Sequence, residues 1–403
     1  MGKGIKYALT CCGWEWKWNF FIDSKCVSVR PMDTKTILHL SSVHPRFDTR
    51  IFYRECQSLA SNGFQVILMV ADGKGDAHER GVDIIDIGKP SGRFSRLLIT
   101  PFKILWRLSR MKAVSSVHIH DPELIWVAAI IRKLKKIPII FDVHENVPAQ
   151  ITQKTWILFP RLVARLYKRI ETVFIKGFHI VLAEYSYKRY YPSTAVSVLN
   201  FPNTHLLSPY LVENRAAMTE NHLFYIGGVS LDRCIDTILD AALILKKTQD
   251  FMIHIVGPDY GTLSDPALQE KMGQLEGIVK FYGRMDWIEG YKISTQCKVG
   301  LALLKPTPNY LESYPTKLFE YMAIGLPFIT SNFELYDEVI AGNVGGLSVD
   351  PENPEAIAEK IEMLLSDSDL YTELATKGLQ YSQDKYNWAQ EEKKLLALYK
   401  GIV

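Results

Sequence analysis

The sequence predicts an α/β protein built from two open, mostly parallel sheets that face each other across a cleft. Three observations predict it. Short apolar runs alternate with helical stretches along most of the 403 residues, a length that suits two cores rather than one. The runs repeatedly end in polar loops, as at HPRFDTR (44–50), HIHD (118–121) and DVHEN (142–146), and ligands of such sheets gather beyond the strand carboxyl ends. Midway, NFPN (200–203) reads as a hinge, because Pro202 restricts the chain and asparagines favour turns.

Composition narrows the class. Hydrophobic residues are 47% and charged residues 23%, as in a soluble globular enzyme. No apolar run is long enough to span a bilayer, and Glu15, Lys17 and Asn19 interrupt the only stretch resembling a signal peptide. Six scattered cysteines give no disulfide framework and fit free thiols in a reducing cytoplasm. The net charge of +3 hides an asymmetry. Residues 1–200 carry 30 Lys+Arg against 16 Asp+Glu, and residues 201–403 carry 17 against 28. A basic first half suits an anionic acceptor or an anionic membrane surface. No nucleic-acid motif accompanies the charge, so nucleic acid is not an expected partner.

The expected division is an extension over 1–33, a first domain over 34–200, a second over 201–380 and a final helix over 381–403. The extension holds three of the eight tryptophans and three of the six cysteines without a periodic pattern. It reads equally as a tail packed on the surface or as sequence preceding a natural start at Met32. In the first domain, strands are expected at 36–40, 65–70, 82–87, 117–120, 138–143, 180–183 and 196–199, with helices at 51–62 and 125–134. His44, Asp48 and Arg50 are candidates for acceptor contact, and Glu145 for holding an acceptor hydroxyl. Two stretches, 93–112 and 156–176, combine apolar positions with arginines and lysines at helical spacing. Each suits a membrane surface or a helix packed on the sheet with its cations reaching out to solvent. His118, His120, Asp121 and Glu123 form no compact ligand set, so no metal is expected.

The second domain opens on a strand from 223 that meets Gly227 and Gly228, where the backbone can approach a ligand closely. Arg233 stands at the start of a helix over 235–247, placed to clamp a diphosphate. Strands at 251–256 and 278–282 end at Gly257 and at Gly283-Arg284. Gly345 and Gly346 read as a turn near the cleft rim, and the last helical segment breaks at Asn387-Trp388. The stretch ALLKPTPNYLESYPTKLFEYMAIGLPFITSN (302–332) is the most informative. It reads strand, loop, helix, strand, with Glu312 in the loop, Glu320 a turn into the helix, and a helix start whose free N–H groups favour anions.

That stretch resembles the donor-binding loop of the retaining family 4 glycosyltransferases, in which seven residues separate two glutamates. SYPTKLFEYMAIGLP (313–327) is similar to the version in bacterial surface-polysaccharide enzymes. The resemblance implies a GT-B fold: two Rossmann-like domains facing a cleft, with a C-terminal helix crossing back to the first. It also implies transfer of a sugar from a nucleotide diphosphate sugar to a hydroxyl of a glycan or lipid-linked acceptor. By the same resemblance His120 orients the sugar, Glu312 faces it, Glu320 binds the ribose, and Arg233 and Lys317 stabilise the leaving diphosphate. Gly227, Gly228, Gly257, Arg284, Ser313, Tyr314, Pro315 and Thr316 complete the donor site. No cofactor or metal is required, and the enzyme is expected in the cytoplasm or peripherally at the inner face of the plasma membrane. The chain departs from the family in three places: HPRFDTR replaces a glycine-rich loop, Gly228 takes the place of an arginine, and Cys234 that of a glycine. A nucleotide-sugar epimerase, a phosphorylase or a non-catalytic sugar-binding assembly protein of the same architecture are the alternatives.

Overall fold

The computed structural model describes residues 35–111, 113–153 and 157–403, so the expected extension over 1–33 lies outside the described residues. The first sheet contains β1 (Thr36–Leu40), β2 (Gln65–Val70), β3 (Ala77–Glu79), β4 (Val82–Asp86), β5 (Ser116–Ile119), β6 (Ile139–Val143), β7 (His179–Leu182) and β8 (Val196–Ser197). Their order is β3-β4-β2-β1-β5-β6-β7-β8, parallel except where β3 pairs with β4. The second sheet contains β9 (His222–Ile226), β10 (Met252–Val256), β11 (Val279–Gly283), β12 (Val299–Ala302), β13 (Phe328–Ser331) and β14 (Gly346–Val349). It is wholly parallel, in the order β11-β10-β9-β12-β13-β14. Central strands such as β1, β5, β6 and β12 are buried along their whole length, which is why they read as continuous apolar runs. Strand order reverses beside β1 in one sheet and β9 in the other. Polar loops at those carboxyl ends therefore form the crevice.

Two details differ from expectation. Gly345 and Gly346 do not mark the cleft rim. Gly346 opens β14 opposite Phe328, and a Cβ there would lie 2.5 Å from the Phe328 ring, so the glycine serves strand packing at the amino end of the sheet. Helices Pro266–Gln274 and Glu334–Ile340 were not expected, although the Asp265 cap before Pro266 and the apolar Tyr336, Val339 and Ile340 are helix signals.

The C-terminal helix ties the halves together. Helix Ser368–Asp384 stops where Asn387 turns its side chain on the backbone, donating to the Gln383 carbonyl at 2.6 Å and accepting from Gln390 N–H at 3.2 Å. Helix Trp388–Ile402 then lies on the first sheet. The Trp388 indole donates to Ser58 Oγ at 2.8 Å, and Glu391 accepts from the Leu199 N–H at 2.9 Å. Trp388, Leu395 and Tyr399 join Ile37, Phe52 and Leu68 in one buried cluster. Each such side chain contributes at most about 1.5–3 kcal/mol by burial.

Candidate active site

A cavity of about 480 Å³ opens between the sheets. Thr49, Glu145 and Asn200 line it from the first half; Gly227, Arg233, Trp287, Tyr291, Tyr310, Lys317 and Glu320 line it from the second, with Ser313, Tyr314, Pro315 and Thr316 along the loop. Gly227 lines its floor, and Gly257, which does not line the cavity, packs against Gly227 from behind. Gly227 (φ +142°) and Gly257 (φ +147°) close the ends of β9 and β10, and a Cβ on Gly257 would fall 1.7 Å from the Gly227 carbonyl oxygen. Only glycine allows that approach. Over this floor stand two cations: an ideal Gly227 Cβ would be 3.2 Å from Arg233 Nη1 and 3.9 Å from Lys317 Nζ.

Lys317 is the unusual one. It is 4% exposed, its ammonium has no hydrogen-bond partner among the described residues, and it lies 4.1 Å from the centre of the Tyr225 ring. Burial, with help from Arg233, lowers its pKa to about 7. It opens helix Thr316–Ala323, whose N-cap Pro315 offers no side-chain acceptor, so the first-turn N–H groups add to the positive field. Neither Arg233 nor Lys317 has an acidic ion-pair partner among the described residues, an arrangement that calls for an anion.

Glu320 closes the opposite end. It is buried, and its Oε2 accepts from the Tyr291 hydroxyl at 2.6 Å. Burial raises its pKa, against the pull of Tyr291 and Arg54. The Tyr336 hydroxyl pins the loop by donating to the carbonyls of Tyr310 (2.9 Å) and Ser313 (3.1 Å).

Glu312 does not line the cavity. Its carboxylate accepts from Asn146 at 3.2 Å and Tyr190 at 3.1 Å and pairs with Arg189, while Ser186 bonds its carbonyl. All four partners belong to the first half, so Glu312 fastens the donor loop across the cleft. Glu184 adds to that junction: buried at the end of β7, it accepts the Tyr314 N–H at 3.3 Å, and burial raises its pKa to about 8.

His120 is also buried, with both ring nitrogens engaged: Nε2 lies 2.9 Å from His39 Nδ1, and Nδ1 lies 3.3 Å from Asp142 and 3.2 Å from His144. Burial lowers its pKa to about 4, so the ring is neutral. Arg50 is no acceptor contact. It is bidentate to Asp142 at 2.8 Å and donates to Val198 O and Asn200 Oδ1, fixing the hinge. Asp48 accepts from Arg50 and Ile51 N–H groups as a helix cap. His44 pairs with Asp121 at 3.0 Å; burial pulls its pKa down, but that bond outweighs it and leaves it about 9.

Arg284 lies apart from the first cavity, in a neighbouring one of about 430 Å³ with Arg46, Arg54, Lys74 and Arg80. Thr49 and Trp287 line both. Gly228 stands beside Tyr260, which occupies the space an arginine would use: a Cβ there would meet its ring at 2.9 Å. Thr49, Trp287, Tyr291 and Tyr310 were not singled out from the sequence. One signal existed for two of them: Asp286 caps helix Trp287–Ile293, accepting from Ile288 N–H at 2.9 Å, and that Asp-Trp boundary after a glycine-terminated strand marks a helix start facing the cleft.

Known proteins bear on this geometry. The family description "Glycosyl transferases group 1" matches residues 211–381, and "Glycosyltransferase Family 4" matches residues 49–184. The sucrose synthase of Melioribacter roseus is 32% identical over 174 residues, 39% of this chain and 21% of that protein. The chain spans only about a fifth to two-fifths of the curated relatives it matches first. Among solved structures, sucrose-phosphate synthase from Thermosynechococcus elongatus superposes with a TM-score of 0.71 at 18% identity, covering 91% of this chain and 99% of that one. Anabaena HepE, solved with UDP and glucose, gives 0.69 at 12% identity, covering 91% and 100%. At these identities the structural likeness speaks to the two-domain fold.

Proposed function

The chain belongs to the family 4, group 1 glycosyltransferases, and from that premise we propose that it moves a sugar from a nucleotide diphosphate sugar to a hydroxyl, with retention at the anomeric carbon. One observation carries the donor assignment: the buried Lys317 ammonium without a hydrogen-bond partner among the described residues, beside Arg233, above a glycine floor. Two cations side by side in one cavity match a diphosphate. A structural neighbour solved with UDP and glucose supports the same donor class. Glu320, with Tyr291, is assigned to the ribose hydroxyls.

In the proposed reaction the acceptor oxygen bonds to the anomeric carbon as the bond from that carbon to the β-phosphate oxygen breaks. The bonding pair leaves with the nucleoside diphosphate, and the acceptor proton passes to a departing phosphate oxygen on the same face. Arg233 and Lys317 neutralise the charge that develops. Glu312 holds the halves closed over the sugar, and His120 acts as a positioning residue for Asp142 and His144.

The acceptor is assigned to a lipid-linked glycan at an anionic membrane surface, within surface-polysaccharide assembly. Helices Thr100–Arg110 and Pro160–Phe174 both pack on helix Ile125–Lys135 and leave large apolar side chains outside: Phe102 is 59% exposed, Trp106 55%, Phe159 72% and Leu162 62%. Arg107, Arg110, Arg161 and Arg165 lie on the same helices. No helix among the described residues is long and apolar enough to cross a membrane. Flotation with anionic vesicles is expected for the parent and lost in Trp106→Glu with Leu162→Glu; equal flotation of both would remove the membrane from the reading.

The donor test is a binding and turnover screen against UDP-, GDP-, ADP- and dTDP-sugars, with Lys317→Met, Arg233→Ala and Glu320→Ala beside the parent. Selective binding by the parent, with turnover lost in the variants, is the expected result. A folded parent that binds no donor would refute the assignment.

A further inference from the structure

Beneath the cleft, four side chains converge from three elements. His39 lies on β1 and His118 directly opposite it on β5; His120 follows β5, and Glu55 comes from the π-helical turn Ile51–Cys56 packed against them. All four side chains are wholly buried. Their ligand atoms lie within 4.8 Å of one another. Glu55 Oε2 stands 3.9 Å from His39 Nδ1, 3.7 Å from His118 Nδ1 and 4.0 Å from His120 Nε2, and His39 Nδ1 is 2.9 Å from His120 Nε2. A zinc ion bound at ~2.0–2.1 Å by four ligands sets them ~3.3 Å apart, inside this range.

We propose that His39, Glu55, His118 and His120 bind a structural divalent ion of the zinc class. Two observations besides the spacing point to a ligand. Glu55 Oε1 pairs with Arg50 Nε at 3.1 Å, while Oε2, the oxygen nearest the histidines, has no hydrogen-bond donor among the described residues, an expensive condition for a buried carboxylate oxygen and the normal one for a metal ligand. His120 already presents its second nitrogen to Asp142 at 3.3 Å, and Asp142 is itself held by Arg50, so the supporting shell that orients a ligating imidazole is in place. His118 Nδ1 lies 2.9 Å from the Tyr399 hydroxyl, whose proton the ion would displace from that nitrogen. The four side chains are wholly buried, so the site is closed and its role is to stabilise the sheet. The inference is independent of the donor assignment.

The test uses the full chain, purified without chelator and dialysed. Elemental analysis should find about one zinc per chain. Cobalt(II) added to chelator-treated protein should give the visible absorption of a four-coordinate centre, and zinc should raise the melting temperature. Glu55→Gln, nearly the same shape, and His118→Gln should lose the metal and the zinc-dependent rise. His144→Asn, outside the set, should keep both. Folded parent protein that holds no metal and is not stabilised by added zinc would overturn the proposal. So would metal retained equally in Glu55→Gln, or lost in His144→Asn instead.

Discussion

The two walls of the cleft treat charge in opposite ways. On the first-half wall Arg50 is bidentate to Asp142, His44 pairs with Asp121, and His144 approaches Asp142 at 2.7 Å. On the second-half wall Arg233 and Lys317 face the cavity with no acidic partner among the described residues. A paired buried charge is scaffold, because removing one partner strands the other. An unpaired one is a standing cost that a bound anion relieves. Chain energetics thus separate the wall that holds shape from the wall that holds ligand.

The largest effect expected from breaking this contrast is on the unpaired side. Lys317→Met should lower turnover by about 10²–10³-fold, the usual loss for one stabilising donor, yet raise the melting temperature. Steady-state kinetics with a thermal melt checks both signs, and a melting temperature that fell would contradict the contrast. Arg50→Met should do the reverse at the level of stability, costing about 3–5 kcal/mol in urea unfolding because Asp142 is left buried without its guanidinium. An effect below 1 kcal/mol would mean water or a proton takes over the role.

Glu184, at the junction of the walls, gives a sharper test. Its carboxyl is raised from the usual range to about 8 by burial. The folded state therefore holds a proton that the unfolded state has released, and stability falls as pH rises from about 4.5 through 8. Glu184→Gln should abolish that slope, a change on the order of 1–3 kcal/mol between pH 5 and 8.5 in unfolding experiments. The smallest effect concerns binding. Because Lys317 titrates near 7 in the free protein, an anion that needs it charged must draw in a proton above that pH. UDP affinity should weaken by up to about tenfold per pH unit above 7, and the slope should flatten in Lys317→Arg; isothermal titration at pH 6.5, 7.5 and 8.5 measures it.

The contrast also describes what could be read in advance. The second wall was legible because its parts lie within one short string: Pro315 to Glu320 form a helix start whose spacing alone sets which side chains face the loop. Gly227 and Arg233 were legible because a strand, a glycine pair and a helix follow one another directly. On the first wall only the strand ends were visible. His39 and His118 meet because β1 lies next to β5, and Glu55 reaches them from a helix following a different loop. Spacing carries no trace of that convergence. Arg50 was misread for the same reason: its partners Asp142, Val198 and Asn200 are far along the chain, and a polar loop arginine looks free until they are in place. Glu312, chosen as a sugar contact, is instead occupied by Asn146, Arg189 and Tyr190 from the other half.

The docking of Trp388, Leu395 and Tyr399 among Ile37, Phe52 and Leu68 sets an order of events during synthesis. The first half emerges from the ribosome complete in its strands but without the helix that covers one face. Until residues 388–402 have been translated, Ser58 lacks its indole partner and part of the β1–β2 surface stays wet. A nascent chain paused after the second sheet would thus display apolar surface to chaperones, and the fifteen residues of that helix would hide it.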